Sequence, residues 1–198
     1  LWSTAANWTG SAVPSSSENV LFTGNGNNRT NLVLGSGATA AGITFAPDAA
    51  AYTVVLPGET LTLAANGTLT LSAGSTYDQA VDASLLVGGN LYVYNYEPSK
   101  TLTLSYTNTS SRNIYLRGSG PVTFNTLRRA AAQEETDTNY IMLESRINAP
   151  LTFTERMTIG ALWVYDSPIN LTFAPHTTNI FCSNDWNFAI NLGGVMNG

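Results

Sequence analysis

Histidine and cysteine, which most nucleophilic and zinc sites require, are scarce in a chain otherwise rich in hydroxyl groups. His176 is the only histidine and Cys182 the only cysteine among 198 residues. A hydrolytic triad would have to use His176, which lies in Pro175-His176-Thr177, a sequence typical of a turn. A zinc site of the usual kind needs several His or Cys ligands. We therefore expect a solvated His176, a buried inert Cys182 (with an intermolecular disulfide as the alternative), and no cofactor or metal.

Two groups of acidic residues could hold calcium or supply an acid and a base. Asp78 and Asp82 lie four residues apart, and Glu134, Glu135 and Asp137 cluster further along. Cleavage of a glycosidic bond needs two carboxyl groups ~5–9.5 Å apart across a groove, and calcium needs several oxygen ligands. Such sites usually draw acidic residues from neighbouring segments, most of which carry none here. We interpret both groups as solvated surface and keep a polysaccharide lyase or hydrolase as the less favoured alternative.

Tyrosines form the most distinctive group of side chains. Tyr92, Tyr94 and Tyr96 stand at every second position, so they share one face of an extended strand. Tyr106 lies nearby in sequence, and Tyr115 is placed one coil further on. The favoured interpretation is an aromatic stack in the core or along one face. The alternative is a platform for sugar rings or a packing face for a partner protein.

The elements that must position these residues follow a recurring triplet of an apolar residue, a threonine and an apolar residue. In a strand, each triplet points two apolar groups inward and one threonine outward. Short strands of one kind, each needing a neighbour to cover its apolar side, are typical of a stacked solenoid. The triplets are Ile43-Thr44-Phe45, Leu61-Thr62-Leu63, Leu69-Thr70-Leu71, Leu102-Thr103-Leu104, Val122-Thr123-Phe124, Leu151-Thr152-Phe153 and Leu171-Thr172-Phe173.

The spacing of the triplets favours a solenoid over an antiparallel sandwich. The steps from Leu102 to Val122 and from Leu151 to Leu171 are both twenty residues, which suits one coil of two or three strands. A sandwich also places strands every 8–12 residues. However, the triplets resemble one another, and no Asn-Gly turn is flanked on both sides by the alternation typical of a hairpin. Both observations favour the solenoid.

Composition limits the partners of the chain. Only 11% of the residues are charged and the net charge is −5, whereas ordinary domains carry ~25% charged residues. Lys100 is the only lysine and Arg128-Arg129 the only adjacent cationic pair, so no nucleic-acid groove is expected. No apolar run approaches the ~20 residues that span a membrane. The polar residues are mainly Ser, Thr and Asn, as in secreted or surface β proteins.

The first 75 residues or so resemble a known family. The order of their motifs is similar to that of the autotransporter-associated β-strand repeat found in bacterial surface proteins. This resemblance implies an extracellular, mostly structural, right-handed parallel β-helix and carries no catalytic residues. The matching elements are Trp2, Trp8, Pro14, Val20-Leu21-Phe22, Gly42-Ile43-Thr44-Phe45, Tyr52-Thr53-Val54 and Leu61-Thr62-Leu63.

One interval interrupts the pattern of strands. Arg128–Asp137 contains three consecutive alanines and clustered charges, the only stretch with helix-forming composition. We predict a loop or short helix at about residues 125–140, protruding from a single solenoid domain over residues 1–198. The chain begins at Leu1 without a recognisable signal peptide, so we expect it to be a segment of a longer secreted protein.

These patterns together predict a non-enzymatic structural or adhesive protein that is secreted, extracellular or on the cell surface. Lysine, the usual protection of exposed strand edges, is nearly absent, so head-to-tail self-association into an oligomer or fibre is expected. Trp2 and Trp8 are the predicted anchors of that contact, and the alternative is an internal cap over the first coil. Glycan binding through Tyr92, Tyr94, Tyr96 and Tyr115 is the alternative function.

Overall fold

The structure is a computed structural model that describes residues 2–24, 31–33, 37–108, 113–129, 142–155, 157–159, 161–164, 171–173, 180–181 and 191–192. Strands are the main secondary structure of these residues, with turns between them and one 3-10 turn at Ala5–Asn7. None of the described segments is a helix that could cross a membrane. The strands are β1 (Asn19–Phe22), β2 (Asn31–Val33), β3 (Thr39–Phe45), β4 (Thr53–Leu71), β5 (Gln79–Val87), β6 (Leu91–Asn95), β7 (Leu102–Asn108), β8 (Ile114–Gly118), β9 (Val122–Arg129), β10 (Met142–Ile147), β11 (Leu151–Phe153), β12 (Thr158–Ile159), β13 (Ala161–Val164), β14 (Leu171–Phe173), β15 (Ile180–Phe181) and β16 (Asn191–Leu192).

The strands stack into a β-solenoid, which confirms the predicted fold class. Every strand pairing in the described segments is parallel. The chain passes three faces in turn and then returns to the first. Face A consists of β1, residues 42–45 of β3, residues 68–71 of β4, β6, β8, β10, β13 and β16.

The other two faces complete each coil. Face B consists of β2, residues 53–55 of β4, residues 79–82 of β5, residues 102–104 of β7, residues 122–124 of β9, β11 and β14. Face C follows face B along the chain and consists of residues 39–40, 60–63, 84–87, 105–108 and 126–129, β12 and β15. Leu102 pairs with Val122 and Leu151 pairs with Leu171, so the twenty-residue steps are indeed single coils.

The side chains of the recurring triplets point inward and outward as their alternation predicts. The apolar members of the first six triplets are buried and their central threonines are half-buried on the outside. In the last triplet Leu171 is buried, Thr172 is exposed and Phe173 is half-buried against the core. Stacked phenylalanines continue the core along face B, because Phe153 lies between Phe124 and Phe173. Burial of these side chains supplies the main stabilising free energy of the coils.

Some strands continue around a corner of the coil, and their pairing with the next coil shifts in register at that corner. β4 runs without interruption from face B across face C to face A. Its pairing with β5 shifts between Val55 and Thr60, and the pairing of β7 with β9 shifts between Leu104 and Ser105. An extra residue on one strand bends it locally. The corners can therefore absorb differences in coil length while each face keeps its inward and outward positions.

Two buried amide side chains link neighbouring coils at the corner between faces A and B. Gln79 accepts a hydrogen bond from the Tyr52 backbone N–H at 2.9 Å and donates one to the Ala50 carbonyl at 2.9 Å. Asn95 donates to the carbonyls of Lys100 and Pro121, both at 2.7 Å. Because buried polar groups are costly unless they are paired, these bonds fix the corner geometry.

Glycines allow the next coil to lie close to Asn95. Gly118 has φ = +109°, a backbone conformation that residues with a Cβ atom rarely adopt. A Cβ atom at Gly118 or Gly120 would collide with the backbone or the side chain of Asn95. The backbone N–H groups of Ser119 and Gly120 both donate to the Asn95 carbonyl, at 2.8 and 2.9 Å. Only glycine fits at both positions.

The first residues of the predicted interruption at 125–140 belong to a strand. β9 continues to Arg129, and the backbone of Arg128 and Arg129 pairs with Thr107 and Asn108 of β7. These two arginines are therefore part of a regular coil, contrary to the prediction, because pairing with an existing strand overrides their helix propensity. Residues 130–141, with Glu134, Glu135 and Asp137, lie outside the described residues.

Replacing Ser145 with alanine should raise the free energy of unfolding by about 1 kcal/mol. Ser145 points inward on face A, where its ladder partners are Leu116 and Val164. Its buried Oγ has no hydrogen-bond partner among the described residues, so alanine removes an unsatisfied hydroxyl. Ser105→Ala is the matched control: the Ser105 hydroxyl donates to Asp82 at 2.6 Å, and its loss should lower stability by about 1 kcal/mol. Urea unfolding of both variants should give shifts of opposite sign, and shifts of the same sign would contradict the assignment.

Candidate functional site

The outward side of face A gathers the tyrosines singled out from the sequence. Leu91, Val93 and Asn95 of β6 point inward, so Tyr92 and Tyr94 point outward. Tyr115 of β8 is the ladder partner of Tyr92. The Tyr92 and Tyr115 rings stack with their centroids 5.1 Å apart and an interplanar angle of 17°. The structure thus places Tyr115 one coil beyond Tyr92, as predicted.

A second stacked pair lies beside the first. The Tyr94 and Tyr96 rings have centroids 5.7 Å apart at 19°, and Tyr96 is 46% exposed. Tyr106 is not part of this group, because its side chain is fully buried on face C. Each ring in a stacked pair loses one side to its neighbour. The pairs therefore present ring edges and hydroxyl groups outward more than open ring faces.

Charged side chains that the sequence analysis did not single out extend the same surface. On the ladder of face A, Arg117 is the partner of Tyr94 and Arg146 is the partner of Arg117. Glu144 is the partner of Tyr115. We call this outward row the Tyr–Arg stripe; it comprises Tyr92, Tyr94, Tyr96, Tyr115, Arg117, Glu144 and Arg146.

A shared carboxylate organises the charged end of the stripe. Glu144 Oε1 lies 2.7 Å from Arg117 Nη2 and 3.0 Å from Arg146 Nε. The Arg117 guanidinium also lies over the Tyr115 ring, 5.4 Å from its centroid, which is a cation–π contact. Glu144 is nearly buried, whereas Arg117 and Arg146 keep 29% and 50% of their side-chain surface exposed. This arrangement suits recognition of a ligand by charge and hydrogen bonds.

The acidic residues considered as a catalytic or calcium pair serve in links between coils. Asp78 Oδ1 accepts a hydrogen bond from the Thr101 backbone N–H at 2.7 Å. Asp82 Oδ1 accepts one from the Ser105 hydroxyl at 2.6 Å. Each contact joins one coil to the next, which agrees with the interpretation of these two residues as surface carboxylates. No group of three possible metal ligands occurs within the described part of the chain.

Glu97, next to Tyr96, links two coils at the corner between faces A and B. Its carboxylate accepts hydrogen bonds from the Ser99 hydroxyl, the Ser99 backbone and the Gly74 backbone N–H of the preceding coil. These bonds, the Ser99 hydroxyl first, hold the pKa of Glu97 below its usual value. His176 and Cys182, the remaining candidates for chemistry, lie outside the described residues.

The two N-terminal tryptophans pack within their own chain. Trp2 is only 1% exposed and belongs to the core, and its backbone N–H donates to the Val33 carbonyl. Trp8 packs edge-to-face against Trp2 with centroids 4.9 Å apart, and its Nε1–H donates to the Trp2 carbonyl at 2.7 Å. Trp8 also contacts Phe22 of β1. This packing within one chain favours the internal-cap alternative, and self-association through the two tryptophans stays a prediction.

Comparisons with known proteins add no identification. No protein-family model, curated protein or solved structure matches this chain. The similarity of residues 1–75 to the autotransporter-associated repeat therefore stays a prediction from the motifs.

The stacked Tyr92–Tyr115 pair should contribute a coupling free energy of about 0.5–1.5 kcal/mol to the stability of the coils. A double-mutant cycle with Tyr92→Ala and Tyr115→Ala in urea unfolding measures it. The control cycle pairs Tyr92→Ala with Tyr77→Ala, because Tyr77 is exposed at a corner. That cycle should be additive within about 0.5 kcal/mol. Additivity in both cycles would mean that the stacked rings do not stabilise the coils.

Proposed function

We propose that this chain is a non-enzymatic structural and adhesive element of an extracellular or cell-surface protein. The main observation in its favour is that polar side chains form hydrogen bonds to the neighbouring coil, mostly to its backbone. Asp78, Asp82 and Glu97 bond to groups of the neighbouring coil, and Gln79 and Asn95 do so from inside the corner. Such bonds favour a scaffold of fixed length, in which each coil is held by its neighbours.

The proposed location rests on composition and on the resemblance described above. A surface of Ser, Thr and Asn with 11% charged residues is typical of secreted β proteins, and the repeat-like motifs of residues 1–75 point to bacterial surface proteins. End-to-end association remains part of the proposal. Because Trp2 is buried and Trp8 packs on it, we place the contact at that end on the outer surface of these two residues.

Imaging combined with an activity assay tests the structural proposal. Negative-stain images of the purified chain should show elongated particles or filaments. Incubation with neutral and acidic polysaccharides should release neither reducing ends nor the ultraviolet-absorbing unsaturated products of a lyase. Release of either product at a rate proportional to protein concentration would overturn the non-enzymatic proposal in favour of the lyase or hydrolase alternative.

Adhesion through glycan binding is the second candidate function, and the Tyr–Arg stripe supports it. The stripe places four half-buried or exposed tyrosines beside two arginines on one outward face. Tyrosine rings offer an apolar body with a polar end, and planar guanidinium groups offer paired hydrogen-bond donors to a ligand. A glycan array with the wild type and a Tyr94→Ala, Tyr96→Ala double variant tests it. Binding that is lost in this variant supports adhesion, and an array without binding contradicts it.

A further inference from the structure

We infer that the outer edge of β1 pairs with β16 of a second copy of this chain, so that face A continues from one molecule into the next. This inference rests on the proposed end-to-end association and names the two strands that form the contact. β1 lies beside the outer surface of the two tryptophans, since Trp8 contacts Phe22 of β1. The contact is a parallel β-ladder of the kind that already joins the coils within one chain.

The outer edge of β1 carries unpaired backbone groups. Among the strands that the structure describes, β1 pairs with β3 alone. The carbonyls of Glu18, just before β1, and of Phe22 accept hydrogen bonds from backbone N–H groups in β3 and just after it. Backbone groups alternate in direction along a strand, so the N–H and C=O groups of Asn19 and Leu21 point away from β3. A row of this kind is a template for a further strand.

The N-terminal segment contacts the first strands of the other two faces. The Trp2 N–H donates to the Val33 carbonyl of β2, which begins face B. The Thr39 hydroxyl, at the start of face C, lies 3.5 Å from the Pro14 carbonyl. Within the described part of the chain, no strand or N-terminal residue pairs with β1 from its outer side. Face A is therefore the face on which a second molecule can extend the sheet.

β1 also lacks the features that prevent edge pairing in natural sheets. Protected edges carry lysine, proline or a bulge. Asn19-Val20-Leu21-Phe22 contains neither lysine nor proline, and its register with β3 is regular over all four residues. The outward Leu21 side chain is 60% exposed, the highest value among the exposed large hydrophobic residues of the described segments. A neighbouring strand would remove part of this apolar surface from water.

β16 is the matching edge at the other end of face A. Its residues Asn191 and Leu192 pair with β13, and no other described strand pairs with β16. Because all the described strand pairings are parallel, head-to-tail stacking of two copies brings β16 of one against β1 of the next as parallel strands. A register with Asn191 opposite Asn19 and Leu192 opposite Val20 matches polar with polar and apolar with apolar residues. Asparagines at matching positions of parallel strands form hydrogen-bonded ladders, whereas a shift by one residue would mix the two classes.

Disulfide cross-linking of the full chain tests this register. The test variant carries Asn19→Cys and Asn191→Cys, and Cys182→Ser removes the native thiol. Partners on adjacent strands lie about 4.8 Å apart, within the Cα separation of about 4.4–6.8 Å that a disulfide spans. We expect mild oxidation to give a series of cross-linked oligomers on a non-reducing gel. The control carries Val13→Cys in place of Asn19→Cys; Val13 is exposed in the N-terminal segment, and this variant should not cross-link. Equal cross-linking of both variants would overturn the inference.

Leu21→Pro blocks the edge while leaving the ladder with β3 intact. The substitution removes an N–H that points away from β3, and proline is tolerated at such edge positions. We expect the dissociation constant of the end-to-end contact, measured by sedimentation equilibrium, to rise about tenfold. Leu21→Lys is a second variant, which places a charge at the edge and should act in the same direction. Thr123→Lys is the matched control, since it adds the same charge to face B, and it should leave association unchanged. Circular dichroism checks the fold of all three.

Two outcomes separate this inference from the association on which it rests. If the wild type associates and both Leu21 variants associate equally well, pairing through β1 is wrong and end-to-end association stands. If the wild type stays monomeric at every concentration and the cysteine variant gives no cross-linked series, both the inference and end-to-end association are overturned.

Discussion

Replacing Phe153 with alanine should lower the free energy of unfolding by about 3–5 kcal/mol. The Phe153 ring is buried and lies between two others on face B. Its centroid is 5.8 Å from that of Phe124, at an interplanar angle of 10°, and 5.4 Å from that of Phe173, at 13°. Truncation therefore leaves a cavity between two coils and also removes two aromatic contacts, each of which adds stability beyond the buried area.

Thr152→Ala is the matched control for this change. Thr152 is the central residue of the same triplet and faces outward beside Thr123 and Thr172. Its replacement should cost less than about 1 kcal/mol, the usual range for a cross-strand pair on an outer face. Urea unfolding followed by circular dichroism gives both values. Similar losses in the two variants would contradict the inward orientation of Phe153.

Replacing Trp2 with alanine should cost about 3–5 kcal/mol and should promote association of the chain. Trp2 is almost completely buried among the residues of the first coil, and Trp8 packs on it. Without the indole, the apolar interior of the first coil is open to solvent at one end. Newly exposed apolar surface of this kind favours contact with a second copy. Light scattering over a range of concentrations, together with thermal unfolding, measures both effects.

The same experiment separates an internal cap from an intermolecular anchor. A cap predicts that the mean mass of Trp2→Ala rises with concentration faster than that of the wild type. An anchor predicts the reverse, because its loss would dissociate assemblies that the wild type forms. Val13→Ala is the control, since Val13 is exposed in the same N-terminal segment, and this change should alter neither the stability nor the mass.

The arrangement of strands could be predicted from the sequence because the inward and outward positions alternate with a fixed period. Leu102-Thr103-Leu104 and Leu151-Thr152-Phe153 carry this signal without ambiguity. The twenty-residue steps give the length of two of the coils, whereas the steps that end at Leu104 and at Leu151 are longer. The outward position of Tyr92 and its pairing with Tyr115 follow from the same alternation. Local periodicity is sufficient wherever consecutive coils have similar lengths.

The charged end of the Tyr–Arg stripe could not be predicted in this way. Between Arg117 and Arg146 lies the interval that contains residues 130–141, which interrupts the count of one coil to the next. The sequence did offer one signal for Glu144. Counting back from the triplet at Leu151 on face B places Glu144 on the preceding face, which is face A. The side chains that meet across coils depend on corner lengths, which composition does not encode.

The position of the tryptophans was ambiguous for a different reason. Both as an internal cap and as an anchor to a second copy, Trp2 and Trp8 would cover the apolar end of a coil. Sequence alone does not tell whether that coil belongs to the same chain. The buried amides of Gln79 and Asn95 gave no signal either. Their role depends on carbonyl groups of Ala50, Lys100 and Pro121, which any residue type can supply.

The nearest-neighbour stacking of the coils has a consequence for how this chain can change in evolution. Each face pairs a strand only with the strands of the coils before and after it. A duplicated coil inserted between β7 and β9 would meet a Leu-Thr-Leu triplet on one side and a Val-Thr-Phe triplet on the other. Both neighbours offer the same inward pattern, so unequal recombination could lengthen or shorten the protein by whole coils. Gain or loss of an odd number of residues within a face would reverse the inward and outward positions of that strand, whereas a change at a corner is tolerated because the register shifts there.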